Sequence, residues 1–102
     1  MLLDVSDSLE TKTVTIKTVK HPQGLKLTFK PLSARSFLRF QSNMLDSQNK
    51  ITEKTISIIE DSLKESCTDA AAWSDFVSEV KNAGFTYIQT IENIFQFISP
   101  VK

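Results

Sequence analysis

The stretch HPQGLKLTFKPLSARSFLRFQ, residues 21–41, writes a turn, a strand and the start of a helix in one short span. Within it Leu25, Leu27 and Phe29 alternate with Lys26, Thr28 and Lys30. A period of two marks a half-buried strand. Pro31 has no N–H for a ladder and ends the strand. Ser33 is a good N-cap, and Leu32 and Phe37 occupy the two positions of a hydrophobic staple around it. Upstream, Val14 and Ile16 of TVTIKT fall on one side of a second alternating run. HPQG lies between the runs: Pro22 presets φ, and Gly24 can take positive φ. Residues 11–30 therefore read as a β-hairpin. A slip of one residue would turn a whole apolar set outward. Matching the faces pairs Val14 with Phe29, Ile16 with Leu27 and Thr18 with Leu25.

Beyond residue 33 the period changes to that of a helix. The first helix is expected from Ala34 to Asp46, with a stripe of Phe37, Leu38, Gln41, Met44 and Leu45. DSQN breaks it. The second, near Lys50 to Cys67, carries Ile56, Ile59, Leu63 and Cys67. Thr68 or Asp69 caps a third, with Trp73, Phe76, Val77 and Val80 on one face, and Gly84 sits where a left-handed C-terminal residue belongs. Thr86 and Gln89 form a capping-box pattern for a last helix bearing Tyr87, Ile88, Ile91, Ile94, Phe95 and Ile98, stopped by Pro100. A two-stranded hairpin is not stable alone in water. It must lie on these helices. The expected fold is α+β: an N-terminal β-hairpin packed on a small bundle of about four α-helices. One domain spans residues 1–102, with 1–10 a loosely ordered acidic arm (Asp4, Asp7, Glu10), 11–30 the hairpin and 33–99 helical.

Composition excludes several classes. The single Cys67 allows no internal disulfide and fits a reducing compartment such as the cytoplasm. The start, MLLDVSD, lacks a basic n-region, and no apolar run approaches the roughly 18–20 residues needed to span a bilayer. The one histidine, His21, and Cys67 make a nucleophile pair conceivable. A turn histidine and a cysteine acting as a small hydrophobe explain both. Four zinc ligands are not on offer, and two glycines make no phosphate-cradling loop. Glu60 and Lys64 read as a helix-supporting i,i+4 pair. No enzyme activity, metal or cofactor is expected.

Charge is balanced, twelve basic against twelve acidic side chains, but unevenly placed. From residue 11 to 40 the charges are Lys12, Lys17, Lys20, Lys26, Lys30, Arg35 and Arg39, with no acid among them. Acids gather later. A basic face suits an acidic partner or phosphates. The plain alternative is lysines that keep strand edges from pairing. Zero net charge and the lack of aromatic–basic interleaving argue against nucleic acid. Four large apolar residues miss the helix stripes. Phe40 lies about 100° and Phe97 about 120° from their stripe centres, and Ile51 and Ile58 share a face nearly opposite Ile56, Ile59 and Leu63. Either neighbouring helices cover them, or a partner chain or a second copy does.

GLKLTFKPLSARSFLRFQ, residues 24–41, resembles the N-terminal signature of tail assembly chaperones of long-tailed bacteriophages. The resemblance rests on Phe29, Pro31, Leu32, Ser33, Arg35, Phe37 and Leu38: a strand ending in Pro-Leu-Ser, then a helix with small and charged residues before an aromatic and a leucine. It implies a non-enzymatic protein of the infected host's cytoplasm that coats the long helical tape measure protein and aids recruitment of tail-tube subunits. On that reading Phe40, Ile51, Ile58 and Phe97 contact the partner, and Arg35 and Arg39 steer an acidic stretch onto it. The rival reading is a small inhibitory or regulatory protein whose basic hairpin meets a nucleic acid or a nucleic-acid enzyme.

Overall fold

The alternating runs become two five-residue strands, β1 (Lys12–Ile16) and β2 (Leu25–Phe29). The computed structural model describes residues 1–99, so Pro100 lies outside the described residues. β1 and β2 pair antiparallel, Lys12 with Phe29, Val14 with Leu27 and Ile16 with Leu25. The expected faces hold, but the register differs from the expected one by two residues. The cause is the connection, residues 17–24, which makes two consecutive turns rather than one. Thr18 and His21 exchange backbone hydrogen bonds, both 3.2 Å, and the Gly24 N–H then donates to the His21 carbonyl at 2.9 Å. Thr18 therefore leaves the ladder. Gly24 has φ +108°, and a Cβ there would stand 2.3 Å from Thr15 Cγ2, so the turn needs glycine twice over.

Four helices follow: α1 (Ala34–Asp46), α2 (Glu53–Ser66), α3 (Ala70–Val80) and α4 (Phe85–Ile98). This is the α+β arrangement expected. The Ser33 side chain accepts from the Ser36 N–H, Thr52 and Thr55 form a reciprocal capping box, and the Asp69 carboxylate accepts from the Ala71 and Ala72 N–H groups. Each satisfies donors that a helix start would otherwise leave unpaired. The start of α4 departs from expectation. Thr86 does not cap it. After a 3-10 turn, Lys81–Ala83, Gly84 at φ +63°, ψ −125° precedes the helix and accepts from the Tyr87 and Ile88 N–H groups. That ψ lies outside the left-handed helical region and suits glycine alone, so the chain reverses there without a Thr cap.

The core joins Leu27 and Phe29 of β2 to Ile59 and Leu63 of α2, Trp73 and Phe76 of α3, and Tyr87, Ile91, Ile94, Phe95 and Ile98 of α4. Phe29 meets the edge of Trp73 at 6.3 Å between ring centroids. The junction between α2 and α3 closes on the free side of β2: Cys67 bridges Phe29, the Lys30 N–H donates to the Ser66 carbonyl and the Thr68 N–H to the Thr28 carbonyl. The Lys12 ammonium donates to the Phe97 carbonyl at 2.9 Å and so caps the end of α4 from the hairpin.

α1 is rotated from the expected stripe. Leu38 and Leu45 are 61% and 78% exposed, while Ser36 and Asn43 are buried and Phe37, Phe40 and Met44 half-buried. The reason is a polar seam with α2. The Thr55 hydroxyl donates to Asn43 Oδ1 across the helix pair, while the buried Ser62 hydroxyl is satisfied within α2 by the Ile58 carbonyl. Among the described residues no buried side-chain polar atom lacks a partner, so the seam carries little desolvation penalty.

Candidate functional site

At 100° per residue, burial of Ser36, Phe40, Asn43 and Ser47 turns Leu38, Gln41, Ser42 and Leu45 to the opposite side of α1, with Arg35, Arg39 and Asp46 along one flank. This outward face is exposed along its whole length. It presents two leucines seven residues apart, with Arg35 beside the first and Arg39 further round on the same flank. Such a face, apolar and rimmed by guanidinium groups, suits an amphipathic segment with acidic flanks. Beside it, Phe37, Phe40, Ile51, Ile59, Phe95 and Gln96 line a cleft between α1, α2 and α4.

The six residues expected to meet a partner fall in separate places. Arg35 and Arg39 are exposed on the flank of the outward face of α1. Phe40, expected to point away from the core, is half-buried against Phe95, with ring centroids 4.6 Å apart. It forms the floor of the cleft, and Ile51, 43% exposed, stands at its rim. Ile58 is half-buried on α2 and lines neither this cleft nor the one beside β1. Phe97, 49% exposed, lies in that second groove with Thr13, Val14, Thr90, Asn93 and Ile94, and the Lys12 ammonium sits 5.1 Å over its ring. Sequence reasoning missed Leu38 and Leu45 because it assigned both to the core. The alternative stripe Phe37, Phe40, Met44, Ser47 has equally helical spacing and takes Phe40 inward. The polar Ser36 and Asn43 on that side concealed it.

The reactive groups are engaged elsewhere. His21 Nδ1 lies 2.8 Å from Glu79 Oε2, and the Thr18 hydroxyl donates to Glu79 Oε1 at 2.8 Å. Glu79 is 7% exposed, and burial pushes its carboxyl up. Hydrogen bonds from Thr18 and His21, the charge of the His21 ring and a Lys20 backbone hydrogen bond outweigh that and hold it below the usual carboxylate range. The Cys67 thiol donates to the Asp69 carbonyl at 3.4 Å, so His21 and Cys67 have separate partners and form no nucleophile pair. Glu60 accepts from the Tyr87 hydroxyl rather than pairing with Lys64. Burial first, then that hydrogen bond and the charge of Glu60, push the Tyr87 hydroxyl well above its usual range.

Among the described residues the only ion pair is His21–Glu79. No described lysine or arginine lies within 4 Å of a carboxylate, so the basic hairpin and junction stand unneutralised. No group of three or more His, Cys, Asp or Glu side chains among the described residues could hold a metal ion. No described helix is long and apolar enough to cross a membrane.

These features define a class: a small α+β domain with an exposed apolar and basic helix face beside an aromatic cleft. Comparisons with protein-family models, curated proteins and solved structures each found no match to this chain.

Proposed function

We propose that this chain is a protein-binding module, and more particularly an assembly chaperone of the phage-tail type that acts in the cytoplasm of the infected bacterium. Its partner is the tape measure protein, a long and largely helical chain, and it aids assembly of the tail tube around that protein. The observation that carries this reading is the outward face of α1, where Leu38 and Leu45 stand exposed with Arg35 and Arg39 on one flank. Contact would bury the two leucines against the apolar face of a partner helix, while the arginines meet acidic residues flanking it. Each fully buried leucine supplies about 1.5–3 kcal/mol of apolar burial. The binding is reversible because the face is short. The cleft lined by Phe40 and Ile51 extends the same surface toward α4.

The test is co-expression of the chain with a phage tape measure protein. The expected result is a soluble complex that Leu38→Asp/Leu45→Asp dissolves while leaving the circular dichroism of the free chain unchanged. Failure of the wild-type chain to keep that partner soluble would overturn the reading. The unneutralised Lys17, Lys26 and Lys30 support the second reading, a basic hairpin that binds nucleic acid or a nucleic-acid enzyme. Duplex DNA binding with a steep salt slope, lost on neutralising Lys26 and Lys30, would favour it.

A further inference from the structure

The first nine residues hold an unspent apolar surface. Met1, Leu2, Leu3, Val5 and Leu9 are all more than half exposed and belong neither to the buried core nor to the partly buried hydrophobics packed against it. The groove beside β1 is the complementary feature. Val14, Ile94 and Phe97 give it an apolar floor, and Thr13, Thr90 and Asn93 a polar rim. Among the described residues β1 forms a ladder with β2 alone, which leaves its outer edge open to a further strand.

Charge favours the same match. The arm has no basic side chain and carries Asp4, Asp7 and Glu10. Lys12 stands at the groove with its ammonium over the Phe97 ring and bonded to the Phe97 carbonyl, and no described carboxylate lies within 4 Å of it. The arm is poorly placed to fill its own groove. It runs through a 3-10 turn, Ser6–Leu9, and an extended Glu10 directly into β1. Folding back would demand a tight reversal at Glu10–Thr11, which offers neither the glycine nor the asparagine that two-residue hairpin turns favour.

We propose that the N-terminal arm of one copy docks on the β1–α4 groove of a second copy. The arm adds as a strand to the open edge of β1, seats Leu3 and Val5, which share one face of a strand, against Val14 and Phe97, and sets its acids near Lys12. Reciprocal exchange of two arms closes a two-fold dimer and leaves no arm free for further growth. This goes beyond the tape measure reading and stands or falls independently of it.

Sedimentation of the full chain across the micromolar range tests the proposal, with two variants at exposed positions that leave the fold intact. Leu3→Asp/Val5→Asp spoils the arm, and Asn93→Glu spoils the groove by repelling the arm's acids. The wild-type chain is expected to dimerise, and each variant alone to raise the dimer dissociation constant by about tenfold or more. An equal mixture of the two variants should associate better than either alone, because an intact arm then meets an intact groove. A chain that stays monomeric throughout, a dimer indifferent to Leu3→Asp/Val5→Asp, or a mixture no stronger than its components would each overturn the proposal.

Discussion

Glu79 shows how much one residue can organise. Its carboxylate holds Thr18 and His21 at the hairpin connection and ties both to the end of α3. Because its folded-state proton affinity is depressed, it contributes stability above the ordinary carboxylate range. That contribution fades as pH falls below about 4.3 and is lost once pH passes the depressed folded value. Glu79→Gln is therefore expected to lower the melting temperature at neutral pH and to flatten its decline in acid, as thermal melts between neutral and acid pH would check. Asn43 is the second such residue. Asn43→Ala removes the acceptor of the buried Thr55 hydroxyl, which keeps its contact with Thr52. A loss of about 1–3 kcal/mol follows, measured by urea denaturation. Sequence reading could propose neither link. Residues 58 and 12 positions apart meet only once the elements have packed.

At the scale of elements, local signals were legible where the physics is local. Ser33 and Asp69 cap the helices they were expected to cap, and α1 has the bounds that Ser33 and DSQN imply. Asp69→Ala should cost about 1 kcal/mol in chemical denaturation, since two N–H groups lose their acceptor. Gly84 is a different case. A Cβ there meets nothing within 4 Å, yet φ +63° with ψ −125° excludes other residues on backbone grounds. Gly84→Ala should destabilise by about 1–3 kcal/mol with an unchanged urea m-value, a strain effect with no steric clash. The face of α1 was not legible. Hydrophobicity put Leu38 and Leu45 inward, and the hydrogen-bonded Asn43–Thr55 seam put them out. Leu38→Asp/Leu45→Asp should consequently change stability by less than about 1 kcal/mol, whereas a core reading would demand a large loss.

At the scale of the whole molecule, the chain is electrically neutral yet divided, a basic hairpin and junction against later acids, with one ion pair among the described residues. Its radius of gyration of 14.4 Å exceeds the roughly 13 Å expected for a packed chain of this length, in keeping with an arm that lies off the core. Contacts to an acidic partner through Arg35 and Arg39 should weaken as salt rises past the roughly 10 Å screening length of 0.1 M, most visibly in the association rate measured by surface plasmon resonance.

The sequence by itself determined the strand pair, the four helices, two of their four N-caps and the α+β class, because alternation, periodicity and capping act between near neighbours. Tertiary structure alone decided the hairpin register, the rotation of α1 and the separation of the six expected contact residues into different places. Those outcomes depend on which polar groups find partners across the core, and such pairings reward no pattern that can be counted along the chain.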